Sequence, residues 1–509
     1  MIKLPRFRRY RSNEIEVPDV WELDDVDTLQ RFIYDEPAVI RRLEQRSEIE
    51  NITSNGTIAA AVMVLAALLA VVVANSPAYE LMREILEAPI GFVIGTLSVD
   101  ITVEAFINDG LMAIFFFLVG IELKYEMTVG QLRKPRQAAL PMLAAVGGVA
   151  MPALIYLLFN FGSGNTMSGW AIPIATDIAF ALGVMSLLGN RIAPETKVFF
   201  QTLAIADDLL AIVVLAVCYG QTPKLSWCAA SLAVVVVLAL LHNARVYSLK
   251  PYIAVGIVLW VCMYKSGIHA TLAGVILAFF LPSQTDVRLS ALHDWLDVWA
   301  AELDDTYDDE AHVLGQHDFT DDARIVERVM HHVTPPLHRA EQSVSVLVNY
   351  GILPLFAFAN AQVRLVDADL GAIVSSPVAE GAFFGAVVGK PVGIILVTAL
   401  LVRIGFARLP RNVDWMQIIA VGIMGGLGFT MSILIASLAF PDPMLVLTAK
   451  CAILAGSITS AVLGILFVLA SSALRPKKRS ASIQSEFQPE SQPEHQPEHQ
   501  PEYQPKEQS

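Results

Sequence analysis

Long uninterrupted apolar runs recur along almost the whole of this chain, and they leave few folds open to it. A bilayer span needs about 20 predominantly apolar residues. Within hydrocarbon the backbone must satisfy its own hydrogen bonds, so only helices and closed barrels cross. The runs are continuous rather than alternating, which selects helices. Twelve spans are expected, near 57–75, 103–121, 137–160, 171–189, 196–218, 227–242, 251–264, 268–283, 344–362, 379–402, 416–438 and 446–472. The expected fold is therefore an all-α polytopic membrane protein. Only Lys265, Ser266 and Gly267 separate the seventh and eighth spans, so a tight turn is expected there.

The net charge of −14 says little about partners, because most charged residues cluster outside the runs. They divide the chain into an acidic N-terminal extension (1–56), spans one to eight (57–283), a polar acidic insertion (284–342), spans nine to twelve (343–472) and a tail (473–509). The tail repeats Gln-Pro-Glu, cannot build a core and is expected to be disordered, its partner unspecified. The insertion carries Asp304, Asp305, Asp308, Asp309 and Glu310 with scattered histidines, but no paired metal-ligand spacing, and reads as a solvated insertion. No basic face with interleaved aromatics appears, which argues against nucleic acid. Cys218, Cys228, Cys262 and Cys451 stand singly and read as packing residues. The charged N-terminus lacks the apolar core of a cleavable signal.

Basic residues set the expected orientation. Lys124, Arg133, Lys134 and Arg136 follow the second span, Arg191 and Lys197 the fourth, Arg245 and Lys250 the sixth, and Arg403, Arg408 and Arg411 the tenth. Arg6, Arg8, Arg9 and Arg11 precede the first span; Arg475, Lys477, Lys478 and Arg479 follow the last. Both termini are expected in the cytoplasm. Before the second span, GFVIGTLSVDITV reads equally as a short hairpin or a loop.

Ionisable residues inside the runs are the informative ones, since each costs roughly 2.5–3.5 kcal/mol at a helix centre. In TLAIADDLLAIVVLAV, Asp207 and Asp208 are adjacent on the fifth span, about 100° apart around it. Neighbouring carboxylates out of water raise each other's proton affinity; deprotonated, they are hard ligands for a small alkali cation. One site would then hold either protons or a metal ion. The bland alternative is a pair of acids plugging a polar network. In GWAIPIATDIAFALG, Pro173 cannot donate to the helix ladder, and Thr176 and Asp177 stand where freed backbone groups need partners. An ordinary proline kink is the alternative there. In GIMGGLGFTMS, Gly422, Gly425, Gly426 and Gly428 signal either close helix packing or an unwound break. Lys390 in GAVVGKPVGI lies too deep to reach water and needs an acid, with Asp207 or Asp208 the obvious candidates. Asp109 opens the second span; Glu122 and Glu126 share a face at its other end, as an ion funnel or a plain solvated helix end. His269 reads as a titrating group or a structural histidine.

ATDIAFALG, IADDLLAI, INDGLMAIFFFLVGIELK, KSGIHATLAGV, PLFAFANA and GLGFTMSILIASLAF, in this order between about 57 and 472, resemble the NhaA family of bacterial Na+/H+ antiporters. The resemblance implies twelve spans with inverted repeats, discontinuous fourth and eleventh spans crossing at mid-membrane, a homodimer, and an inner-membrane location. It implies that Asp207 and Asp208 carry the exchanged ions, H+ and Na+ or Li+, without a resident cofactor. Lys390 would pair with Asp207 and offset helix-break dipoles, with Thr176 and Asp177 at the crossing. Glu122 and Glu126 would line a cytoplasmic funnel with Asp109 deeper in the same span, and the GFVIGTLSVDITV region would form a dimerisation hairpin. The insertion, the N-terminal extension, the tail and Tyr125 depart from the family pattern. An ion-responsive scaffold signalling through the tail is a rival reading. A symporter of organic anions is another, but the sequence offers no core arginine to hold such a solute.

Overall fold

The computed structural model describes residues 56–474, apart from 95–96, 134, 221, 309–310, 367–368 and 411. The N-terminal extension up to residue 55 and the tail from 475 lie outside the described residues.

The chain opens with α1 (Gly56–Ala74) and α2 (Tyr79–Glu87). The stretch whose sequence left hairpin and loop open is a hairpin: β1 (Pro89–Ile94) runs antiparallel to β2 (Leu97–Thr102), with Pro89 opposite Thr102. A π-helical turn over Phe106–Leu111 leads into α3 (Met112–Thr128). Then come α4 (Pro135–Phe159), a 3-10 segment (Met167–Ile174), α5 (Ile178–Leu187), α6 (Pro194–Cys218), α7 (Leu225–Asn243), α8 (Leu249–Ser266) and α9 (Leu272–Phe280). The insertion supplies α10 (Leu289–Thr306) and α11 (His317–Val333). The chain re-enters the bundle through α12 (Pro336–Leu347) and α13 (Leu353–Asn360), followed by the short α14 (Leu370–Val374). Last come α15 (Pro377–Phe384), α16 (Lys390–Arg403), α17 (Trp415–Gly425), α18 (Phe429–Ala439) and α19 (Pro443–Leu474).

Among the described residues nine helical stretches are long and apolar enough to cross a bilayer, and α17 with α18, bent by 42°, makes a tenth. The seventh and eighth expected spans correspond to α8 and α9. Lys250 and Lys265 lower the apolarity of α8 at its ends, and the nine residues of α9 extend only about 13.5 Å. Gly267, at φ +83°, makes the expected tight turn between them.

Outward faces are apolar: on α7, Leu232 is 66% exposed, and Leu225 and Leu240 are exposed as well. Such a surface suits lipid rather than water. Inside, backbones touch where side chains are absent. A Cβ on Gly393 of α16 would lie 2.0 Å from the Gly147 carbonyl of α4, so glycine is what lets these helices meet.

The insertion forms a pair of helices in which no residue is fully buried. Trp295 and Trp299 lie on the half-buried side of α10, their rings 5.7 Å apart. Polar contacts tie the pair to its neighbours: His332 Nδ1 lies 2.9 Å from Asp286 Oδ2, and His331 Nδ1 lies 2.7 Å from Arg339 Nη1 of α12.

Candidate functional site

Two interrupted helices cross at the centre of the bundle. The first break follows Pro173, where the 3-10 segment ends, Ala175 and Asp177 adopt extended backbone, and α5 begins. Asp177 caps α5, its Oδ1 accepting from the Phe180 N–H at 3.0 Å. The second break lies between Gly425, the end of α17, and Phe429, the start of α18. Both readings of the glycine cluster therefore hold at once. The helix unwinds there, and the crossing is close enough that a Cβ on Gly428 would meet the Ala175 carbonyl at 2.8 Å.

Reciprocal hydrogen bonds lock the crossing. The Asp177 N–H donates to the Leu427 carbonyl at 2.6 Å. Asp177 Oδ2 accepts from the Thr430 hydroxyl at 2.5 Å and from its N–H at 3.3 Å. A single carboxylate thus serves the first turns of both α5 and α18, where helix dipoles favour negative charge.

Lys390 stands on the opposite side of this electrostatic pattern. It begins α16, directly after the π-helical turn Gly385–Gly389, and is fully buried. Its Nζ donates to the Ile174 carbonyl, to Thr176 Oγ1 at 2.5 Å and to Asp207 Oδ2 at 2.6 Å. All three ammonium protons are thereby used. A cation is placed at the carbonyl end of a broken helix, where the dipole favours it. Thr176 Oγ1 lies 2.7 Å from Asp207 Oδ2 and 3.2 Å from the Gly425 carbonyl, joining both breaks to α6.

Asp207 is 1% exposed, and its second oxygen, Oδ1, is buried without a hydrogen-bond partner among the described residues. Asp208 is 4% exposed and takes part in none of the bonds above. With both acids ionised beside one ammonium, the charge is −2 + 1 = −1, and an oxygen stands ready to accept. One monovalent cation would balance that deficit.

The structure thus gathers Thr176, Asp177, Asp207, Asp208 and Lys390, and leaves the remaining candidates apart. Asp109 lies in the π-helical turn before α3, where its carbonyl accepts from Trp260 Nε1 at 3.1 Å. Glu122 and Glu126 are half-buried along the last turns of α3, and Glu126 curls back over Gly130. Between them, Lys124 Nζ donates to the Phe279 carbonyl at 2.7 Å and so caps α9. His269 sits between α8 and α9 with Nε2 buried and without a hydrogen-bond partner among the described residues.

Sequence reasoning missed Thr430. The available signal was a hydroxyl residue directly after the glycine-rich break, in the first turn of the new helix. Replacing it with the near-isosteric valine removes the 2.5 Å bond to Asp177 and leaves a buried carboxylate oxygen with one long donor. Thr430→Val is expected to cost about 1–3 kcal/mol, read as a lowered thermal midpoint of the purified protein. An unchanged midpoint would remove Thr430 from the crossing's energetics.

The family described as Na+/H+ antiporter 1 matches residues 50–468. This chain belongs to that family of antiporters. A Na(+)/H(+) antiporter NhaA of Mesorhizobium japonicum is 40% identical over 413 residues, covering 81% of this chain and 92% of the relative. One from Escherichia coli O6:K15:H31 is 42% identical over 406 residues, covering 79% and 93%. The sodium proton antiporter MjNhaP1 of Methanocaldococcus jannaschii is 13% identical with a TM-score of 0.44, covering 84% of this chain and 98% of that one. Family membership makes the protein a transporter rather than an enzyme. Its apolar helices make it a multi-pass membrane protein with the antiporter family's all-α fold.

Proposed function

We propose that this chain exchanges Na+, or Li+, for protons at Asp207 and Asp208 by alternating access, with two protons entering for each metal ion leaving. The observation that carries this reading is Asp207 Oδ1, unpartnered among the described residues, at a buried site where the one lysine pairs with Asp207 and Asp208 stands next to it in the chain. Carboxylate oxygens are suitable ligands for a small hard cation, and the same oxygens bind protons. Cation and protons therefore compete for one place. Lys390 holds Asp207 when the metal is absent, so loading and release are coupled to the breaking and remaking of that pair. The crossing of two broken helices supplies backbone that rearranges without exposing unpaired groups to lipid.

Two charges in against one out move one net charge per cycle, so the membrane potential contributes about 2.3 kcal/mol per 100 mV. In this reading the site opens alternately to the two sides of the bacterial inner membrane, with both termini in the cytoplasm. Glu122, Glu126 and Asp109 mark the cytoplasmic approach, and the β1–β2 hairpin joins two copies. His269 is a candidate titrating group away from the crossing.

Everted vesicles carrying the full chain and a quenched pH-sensitive dye provide the test. After acidification, Na+ and Li+ are expected to restore fluorescence, and shunting the membrane potential is expected to change the rate. Deleting residues 476–509 should leave this exchange in place, which separates an antiporter from a scaffold acting through its tail. A chain that folds and inserts, yet responds to no alkali ion, would end the proposal.

A further inference from the structure

The π-helical turn Gly385–Gly389, which leads directly into Lys390, packs against both helix breaks. A Cβ on Gly385 would lie 2.8 Å from Pro173 Cβ at the first break, and one on Gly389 would lie 2.8 Å from Pro152 Cα of α4. On its other side, a Cβ on Gly426 at the second break would lie 2.6 Å from the Ala386 carbonyl oxygen. Such turns place an extra residue in an α-helix and are frequent at functional sites. Reversion to α-helical register would rotate Lys390 by about 100° relative to the residues before it. That rotation carries its ammonium away from Ile174, Thr176 and Asp207. The wider turn therefore has to be held.

It leaves one backbone group without a helical donor. The Lys390 N–H donates to the Gly385 carbonyl, in π-helical register. The next N–H in that register would serve Ala386, but residue 391 is proline and carries none. In α-helical register the donor to Ala386 would be Lys390, whose N–H is already engaged. A buried carbonyl in this position needs a donor from elsewhere.

Ser460 of α19 stands where that donor is required. It is 1% exposed, and its Oγ has no hydrogen-bond partner among the described residues. The other hydroxyls of α19 are engaged: Thr448, Thr459, Ser471 and Ser472 donate to carbonyls of their own helix, and Ser457 accepts the Phe429 N–H at 3.2 Å. Ser460 Oγ also lies 2.6 Å from the point a Cβ on Gly426 would occupy, so it meets the Ala386 oxygen over the bare face of the glycine. The two oxygens are at most twice that distance apart, a gap that one bridging water spans.

We propose that Ser460 is a positioning residue for Lys390: a water held by its hydroxyl donates to the Ala386 carbonyl and fixes the π-helical turn that aims the ammonium at Asp207. The inference rests on the exchange proposed at Asp207 and Asp208, because it acts through the lysine that Na+ displaces there. Without the anchor Lys390 holds Asp207 less firmly, and Na+ displaces it more easily.

Everted vesicles carrying the full chain with Ser460→Ala are titrated with Na+ at one alkaline pH, where protons compete least. The thermal midpoint of the purified variant is measured alongside. The half-saturating Na+ concentration is expected to fall about fivefold, the scale of one hydrogen bond, with no gain in rate at saturation. Pro391→Ala restores the absent N–H, so adding Ser460→Ala in that background is expected to leave half-saturation unchanged. A lowered midpoint with unchanged half-saturation in the single variant would reduce Ser460 to packing and overturn the proposal. An equal fall in both backgrounds would overturn its link to the Ala386 carbonyl. Should Pro391→Ala fail to fold, the single variant still decides. Absence of Na+-driven exchange in the parent chain would instead end the antiport reading itself.

Discussion

Vesicles containing Asp208→Asn show no measurable Na+-driven proton movement, while the variant is made, inserted and folded as well as the parent. The two halves of this expectation have separate origins. Asp208 takes part in none of the hydrogen bonds that hold the crossing together, so an isosteric amide disturbs no contact there. Removing one of two like charges from a buried site also relieves repulsion. Function fares differently, because the amide neither binds a proton at accessible pH nor supplies an anionic oxygen. Losing one charged ligand interaction of about 3 kcal/mol lowers ion occupancy by about a hundredfold. Full exchange in this variant would move the ion site elsewhere.

Replacing Lys390 with glutamine has the largest expected effect on stability. Lys390 and Asp207 are each 1% exposed at the side chain, and each meets an opposite charge in their 2.6 Å pair. Removing one partner of such a pair typically costs about 3–5 kcal/mol, because the other is left charged and alone. The Ile174 carbonyl and Thr176 also lose a donor. The expected result is a large fall in the thermal midpoint of Lys390→Gln, partly recovered in Lys390→Gln/Asp207→Asn, where no charge is stranded. The double-mutant cycle isolates the pair from the helix-end contacts. A double variant no more stable than the lysine variant alone would show that the helix ends, rather than the ion pair, account for the loss.

The parts of this architecture that depend on local composition were legible in the sequence. Apolar runs mark most of the spans because burial in lipid is decided residue by residue. The buried charges marked the site for the same reason, and the need of Lys390 for an acid followed from its depth. Which acid it meets was a matter of geometry, since Asp207 and Asp208 differ by one position on α6. The glycine cluster could not be resolved between packing and unwinding, because what stabilises the break lies far away in sequence. Asp177, 253 residues from Thr430, provides the acceptor. The length of α9 was equally hidden: the eighth span was expected over 268–283, but the helix runs only from Leu272 to Phe280. In the insertion, charge density suggested only a solvated segment. Its helices become visible through contacts such as His332 with Asp286, which pattern alone does not reveal.

Binding of radioactive Na+ to the purified full chain, measured from acidic to alkaline pH, is the most direct check that metal and protons occupy one place. Apparent affinity is expected to weaken steadily as the solution is acidified, and to vanish at every pH in Asp208→Asn. Sodium held equally well across that range, or undiminished by the substitution, would contradict competition at this carboxylate pair.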